Sequence, residues 1–169
     1  KLLEDARRQR VDGIVLDLSH NMGGLVDEAV QIAGLFVGQG GIVATKDSKE
    51  LITVYANGSS SSLTREDNLK VITFPTGAPI YNGPLVVLTS RFSASASEIV
   101  AGALQDYHRA VIVGSDHTFG KGSVQELTPI SRDLGGVKVT KALYFLPSGK
   151  STQKIGVESD IKLPMFFIQ

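Results

Sequence analysis

Short apolar runs bounded by turn residues set the rhythm of this chain. Gly13-Ile14-Val15-Leu16-Asp17-Leu18, Pro84-Leu85-Val86-Val87-Leu88-Thr89 and Ala110-Val111-Ile112-Val113-Gly114 are near-continuous in Val, Ile and Leu. Such runs predict strands buried on both faces of a parallel sheet. Helical spacing alternates with them. Residues 1–10 read as the end of an amphipathic helix. Leu25, Ala29, Ile32, Ala33 and Phe36 share one face of a second helix, and a third is predicted from Ser95 to about Tyr107. Strand, glycine turn and helix in that order open a βαβ unit. Ile42–Thr45 and Leu51–Tyr55, with a turn at Asp47-Ser48-Lys49, predict a hairpin; residues 123–128, 137–140 and 142–146 predict further strands. The serine-rich stretch Asn57–Ser62 reads as a mobile loop, and residues 63–82, with two prolines, as irregular. The expected class is α/β with a mainly parallel central sheet flanked by helices.

Composition narrows this picture. A length of 169 residues suits one domain with a single core. Seventeen Lys and Arg balance seventeen Asp and Glu, which argues against a nucleic-acid-binding or membrane-surface protein. The absence of cysteine removes disulfides, thiolate nucleophiles and thiolate metal sites. No apolar run is long enough to span a membrane, and no secretory leader is visible. The opening Lys1–Arg10, without an initiator methionine, reads as the middle of a helix in a longer protein.

The chemistry concentrates in residues 91–125. Ser93, Ser95 and Ser97 alternate between a buried strand and a helix, where α/β folds place ligands and nucleophiles. Ser95 and Glu98 have the S-x-x-E spacing of a capping box, so Ser95 also fits a plain helix cap. The same position suits a nucleophile, because the next N–H, that of Ala96, is an open donor at the positive end of the helix. Such a donor stabilises the oxyanion formed when a serine attacks a carbonyl. Ser93 and Ser97 lack the cap spacing. Of the three histidines, His20, His108 and His117, none lies in a recognisable serine-protease context. Lys121, between Gly120 and Gly122, is the stronger candidate base: a neutral amine can take the serine proton. A solvated loop lysine is the plain alternative, and Gly120-Lys121-Gly122-Ser123 lacks the spacing of a nucleotide-phosphate loop. Asn21-Met22-Gly23-Gly24 follows a strand and opens a helix, so its N–H groups offer a second oxyanion donor, or make only a tight turn.

Taken together, these segments resemble the carboxyl-terminal processing peptidases, or tail-specific proteases. Four stretches carry the resemblance: Asp17–Gly24, Ser95–Glu98 with Ala101–Asp106, Thr118–Gln125, and Pro147–Gln153 with Gly156-Val157 and Asp160-Ile161. The likeness implies a crotonase-like α/β core spanning residues 1–169 as one catalytic domain. It implies Ser95 as nucleophile, Lys121 as general base and Gln125 as the residue orienting the lysine amine. Ala96 N–H with Gly23 or Gly24 N–H would form the oxyanion hole, and Glu98, Asp106 and Thr118 would support the site. It implies a serine endopeptidase acting near the C-termini of proteins, on substrates with apolar tails, without metal or cofactor, and extracytoplasmic. It leaves the oligomeric state open. Retinoid-binding relatives make a non-catalytic binding module the alternative. The family's peptide-binding PDZ domain has no counterpart in residues 1–169. The chain departs from the pattern at Ser19, where the family has arginine, at Ser159, where proline is usual, and by one extra residue within Ser115–His117.

Overall fold

The computed structural model describes residues 1–59, 61–75, 77–131 and 135–164. In chain order the elements are α1 (Leu2–Gln9), β1 (Ile14–Asp17), α2 (Val26–Val37), β2 (Gly40–Asp47), β3 (Ile52–Gly58), β4 (Ser62–Glu66) and β5 (Leu69–Pro75). They continue with β6 (Leu85–Thr89), α3 (Ala96–Asp106), β7 (Val111–Gly114), β8 (Ser123–Ser131), β9 (Gly135–Phe145) and β10 (Ile161–Lys162).

The three apolar runs become neighbours in one all-parallel sheet of order β1-β6-β7-β10. Its register aligns Asp17 with Leu88 and Leu88 with Val113. The carboxyl ends of β1, β6 and β7 therefore share one edge, and the turns after them leave side by side. Helix α3 is buried continuously from Ala96 to Leu104 and packs against α2, β2 and β7. Burial on all sides requires small residues. Gly102 lies so close to Leu146 that a Cβ would fall 2.5 Å from its side chain. Arg109, just beyond α3, donates to the carbonyls of Phe36, Tyr81 and Gly83 at 2.9–3.1 Å, fastening the end of α2 to the entrance of β6.

Beyond the parallel sheet lies a second one that the sequence pattern did not disclose. Six strands run in the order β4-β5-β3-β2-β9-β8, all antiparallel except the β3–β5 pair. The expected hairpin is β2–β3. The stretch expected to be irregular holds β4 and β5, joined through Asp67 at φ 34°. The residues of β4 are exposed along its whole length, so no apolar alternation advertised it. The two ends of the expected mobile loop are strand, since Asn57-Gly58 ends β3 and Ser62 opens β4; Ser60, like Thr76, lies outside the described residues. The two strands expected at 137–140 and 142–146 are one, β9, and the apparent break between them is a bulge opposite Val124 and Gln125. In α2 the buried face is Ala29, Val30, Ala33, Gly34 and Phe36, while Leu25 and Ile32 are exposed. The face is turned because Gly34 sits against the buried Asn57, whose amide donates to the Val30 carbonyl. Among the described residues no helix is long and apolar enough to cross a membrane.

Candidate active site

Three turns meet at the carboxyl edge of the parallel sheet: 18–24 after β1, 90–95 after β6 and 115–122 after β7. The second and third of them join on the carboxylate of Glu98, which is fully buried. Its Oε2 accepts the N–H of Ser95 and the N–H of Lys121, each at 2.8 Å. Its Oε1 accepts the Thr118 hydroxyl at 2.5 Å and the Gly120 N–H at 2.7 Å. One side chain thus brings the backbones of the predicted nucleophile and base onto a single oxygen. Thr118, also fully buried, extends the network, because its Oγ1 accepts the Val157 N–H at 2.8 Å.

Ser95 is the N-cap of α3, as its spacing predicts, but its backbone is not that of an ordinary cap. It sits at φ 57° and ψ −116°, where caps are normally extended. A non-glycine residue held there costs on the order of 1–3 kcal/mol and persists only where the surroundings impose it. The sharp turn at the end of β6 lifts Ser95 out of the helix, the arrangement of a nucleophile elbow. The other two serines are committed to structure. The Ser93 hydroxyl donates to the Leu18 carbonyl at 2.8 Å, and that of Ser97 lies 2.8 Å from Asn21 Oδ1 and 2.9 Å from Asn21 O. Both lash the glycine turn to the serine turn.

That lashing leaves Gly23 no room for a side chain. At φ 106°, a Cβ there would lie 2.6 Å from Ala94 O and 2.8 Å from Ser95 Cβ. The Gly23 N–H donates to Asn21 Oδ1 at 2.9 Å. The N–H groups of Gly24 and Ala96 have no hydrogen-bond partner among the described residues, and Ala96 opens α3, where the helix dipole is positive. The two glycines flanking Lys121 answer to the segment 153–154. A Cβ on Gly122 would fall 2.5 Å from Gln153 N, and one on Gly120, at φ 89°, 2.9 Å from the Lys154 carbonyl carbon. Lys121 is half-buried, and its amine has no ion-pair or hydrogen-bond partner among the described residues.

Not every predicted residue joins this cluster. Gln125 lies on β8, exposed, with no side-chain hydrogen bond among the described residues. Asp106 sits at the far end of α3, where it accepts the Ser148 N–H at 2.9 Å. An open groove of about 1100 Å³ lies at that end, lined by Asp106, Arg109 and Asp160 among others, and includes neither Ser95 nor Lys121. Among the described residues no histidine bonds to Ser95: His20 stacks on Phe92, His117 Nδ1 meets the Thr118 carbonyl at 2.6 Å, and His108 follows α3. Two residues that the sequence reading missed belong here. Asn21 braces the glycine turn, and Tyr144, buried on β9, directs its hydroxyl at the carbonyls of Ser95 and Lys121. Tyr144 carries no local signal, since its partners come from distant segments, and Asn21 joins a local partner, Gly23, to a distant one, Ser97. The departures from the family pattern also find their place. Ser19 N–H donates to Asp17 Oδ1 at 2.8 Å. Ser159 donates its hydroxyl to the Ser115 carbonyl at 2.5 Å and its N–H to the Asp116 carbonyl at 3.2 Å. A proline offers neither donor, so Ser159 secures Ser115 and Asp116.

Two outcomes follow from this network. Replacing Glu98 by Gln turns an NH2 group toward two of its donors. The substitution should cost about 2–4 kcal/mol in urea unfolding; a loss under about 0.5 kcal/mol contradicts the clamp. At the rim, the Arg91 guanidinium beside Asp116, bonded at 2.7 and 3.0 Å, holds that carboxyl down to about 2. A value below the unfolded one, about 3.9, means that the pair's stabilisation is present above pH ~4 and is lost as pH falls through about 2. The Asp116 carboxyl should therefore titrate near 2 by NMR and move toward the ordinary value in Arg91→Gln; an unchanged midpoint refutes the pairing.

The profile of Peptidase family S41 matches residues 1–163. A carboxy-terminal-processing protease of Bartonella bacilliformis is 41% identical over 90% of this chain, which covers 31% of that protein. A tail-specific protease of Haemophilus influenzae is 34% identical over 97% of this chain and 22% of its own length. A solved photosystem II D1 C-terminal processing protease superposes with a TM-score of 0.74 at 38% identity, over 95% of this chain and 36% of that one. This chain spans between a fifth and about a third of each of these proteins. With its serine, lysine and glycine turns placed on one sheet edge, the chain belongs to peptidase family S41, the carboxyl-terminal processing or tail-specific peptidases.

Proposed function

We propose that residues 1–169 form the catalytic core, of crotonase-like fold, of an extracytoplasmic serine endopeptidase that cleaves proteins with apolar tails near their C-termini. The observation that carries this reading is the backbone of Ser95: a positive-φ serine at a strand–helix turn, followed by an Ala96 N–H that has no partner among the described residues. A helix cap does not need the strain.

In this reading the neutral Lys121 amine takes the Ser95 hydroxyl proton as Oγ bonds to the scissile carbonyl carbon. The carbonyl oxygen becomes an oxyanion and accepts from Ala96 N–H and Gly24 N–H. Gly24 rather than Gly23 is assigned the second donor, since the Gly23 N–H is spent on Asn21. The ammonium then returns its proton to the departing amine nitrogen, and the C–N bond breaks to leave an acyl-enzyme on Ser95. Water reverses the sequence, with Lys121 again as base. Gln125 is assigned to steady the amine during turnover, while Thr118 and Glu98 fix the loop that carries it. Asp106 supports the site at a distance, through the loop at Ser148.

The purified protein should cleave a peptide with an apolar C-terminus. Lys121→Ala should lower kcat/KM by about 10²–10⁴-fold, the usual worth of a general base. Activity should be unaltered by removing His20, His108 or His117 singly. Cleavage that survives Lys121→Ala contradicts the lysine-base assignment. Tight peptide binding without any cleavage would favour the non-catalytic alternative.

A further inference from the structure

The proposed dyad is held by its backbone through two side chains. Glu98 accepts the N–H of Ser95 and the N–H of Lys121 on one oxygen. The second side chain is Tyr144, 1% exposed, whose hydroxyl donates to the Lys121 carbonyl and lies 3.2 Å from the Ser95 carbonyl. Two side chains thus grip both backbone polar groups of both residues. The grips differ in redundancy. The Ser95 carbonyl also accepts from Glu98 N–H and Ile99 N–H at 2.9 and 3.1 Å, whereas the Lys121 carbonyl has no other partner among the described residues.

Resting on the serine–lysine reading above, we infer that Tyr144 is a positioning residue for this reaction: its hydroxyl fixes the Lys121 peptide unit relative to Ser95 and so sets where the lysine amine meets the serine hydroxyl. Its place in the fold suits that task. Tyr144 lies on β9, where its neighbours Leu143 and Phe145 pair with β8 and β2, and its own N–H donates to the Gly122 carbonyl at 2.9 Å. The ring is packed in the core, so the hydroxyl is a fixed point. Burial pushes the phenol well above the ordinary tyrosine range, which keeps it a donor and not a base at working pH. Lys121 stands on the loop between Gly120 and Gly122, and a base displaced by about 1 Å loses on the order of 100-fold in rate. Tyr144 touches neither substrate nor reacting atom in this scheme; it acts through Lys121.

The test compares kcat and KM for cleavage of an apolar-tailed peptide by the full-length protein, in Tyr144→Phe and with 4-fluorophenylalanine in place of Tyr144. The second fills the hydroxyl's space without a donor and serves where phenylalanine impairs folding. Tyr107→Phe is the control, since it removes another tyrosine hydroxyl bond, to the Gly41 carbonyl at 2.9 Å, away from the dyad. The expected result is kcat lower by about 10- to 100-fold in both donor-free variants, with KM within about twofold of wild type, and Tyr107→Phe at the wild-type rate. Wild-type kcat in either folded Tyr144 variant, with turnover still abolished by Ser95→Ala, overturns the tyrosine's role alone. Turnover that survives Ser95→Ala overturns the serine–lysine reading and the tyrosine's role with it.

Discussion

A carboxylate taken out of water costs several kcal/mol unless hydrogen bonds meet it, and the architecture of the site follows from how Glu98 is met. Three backbone N–H groups and one hydroxyl converge on its two oxygens, from Ser95, Lys121, Gly120 and Thr118. The positive end of α3 adds a favourable field. None of these donors would be placed without the others. The serine turn must curl back so that the Ser95 N–H points at its own helix's third residue, and the 118–121 loop must lie flat across the top of that helix. The clamp therefore converts two loops of separate origin into one rigid object. A charged group buried at the join stabilises that object only while all its partners are in place.

The remaining constraints are consequences of this closeness. Parallel strands with aligned carboxyl ends deliver the loops to the same edge, as open α/β sheets do for ligand sites generally. Close approach then dictates where side chains are forbidden. Gly23 is pressed on Ser95, and Gly120 and Gly122 on the segment 153–154. The serine hydroxyls of Ser93 and Ser97 replace water in bonding to neighbouring backbone, leaving Ser95 as the one of the three that the turn holds in a strained conformation. Tyr144 completes the enclosure from the second sheet. The antiparallel strands thus serve the site as a wall as well as a scaffold.

Much of this was legible along the chain, and the exceptions have physical causes. The three parallel strands announced themselves as uninterrupted apolar runs, although the two-sided burial expected of such runs is not met at the sheet's flanks, where Val15 of β1 and Val111 of β7 are exposed. Ser95 and Glu98 were legible because a capping box is local, three residues wide. What Glu98 does beyond capping was not, because Gly120 and Lys121 lie more than twenty residues away and contribute main-chain groups, which have no sequence signature. Tyr144 is the extreme case, a tyrosine in an ordinary strand whose partners are two carbonyls. Strand β4 escaped notice because it is exposed throughout, so its residues carry no burial pattern. Helix α2 showed its period but not its phase, since the phase was set by Asn57 from another strand. Where structure rests on periodic burial the sequence spoke clearly, and where it rests on long-range main-chain hydrogen bonds it was silent.

The central claim is that one buried carboxylate makes the serine turn and the lysine loop a single unit. Native-state hydrogen exchange of the amides of Ser95, Gly120 and Lys121 reads it directly. All three should be strongly protected and should open together, with the same free energy and the same denaturant dependence. Gly120 and Lys121 amides exchanging at loop rates while Ser95 remains protected would contradict it.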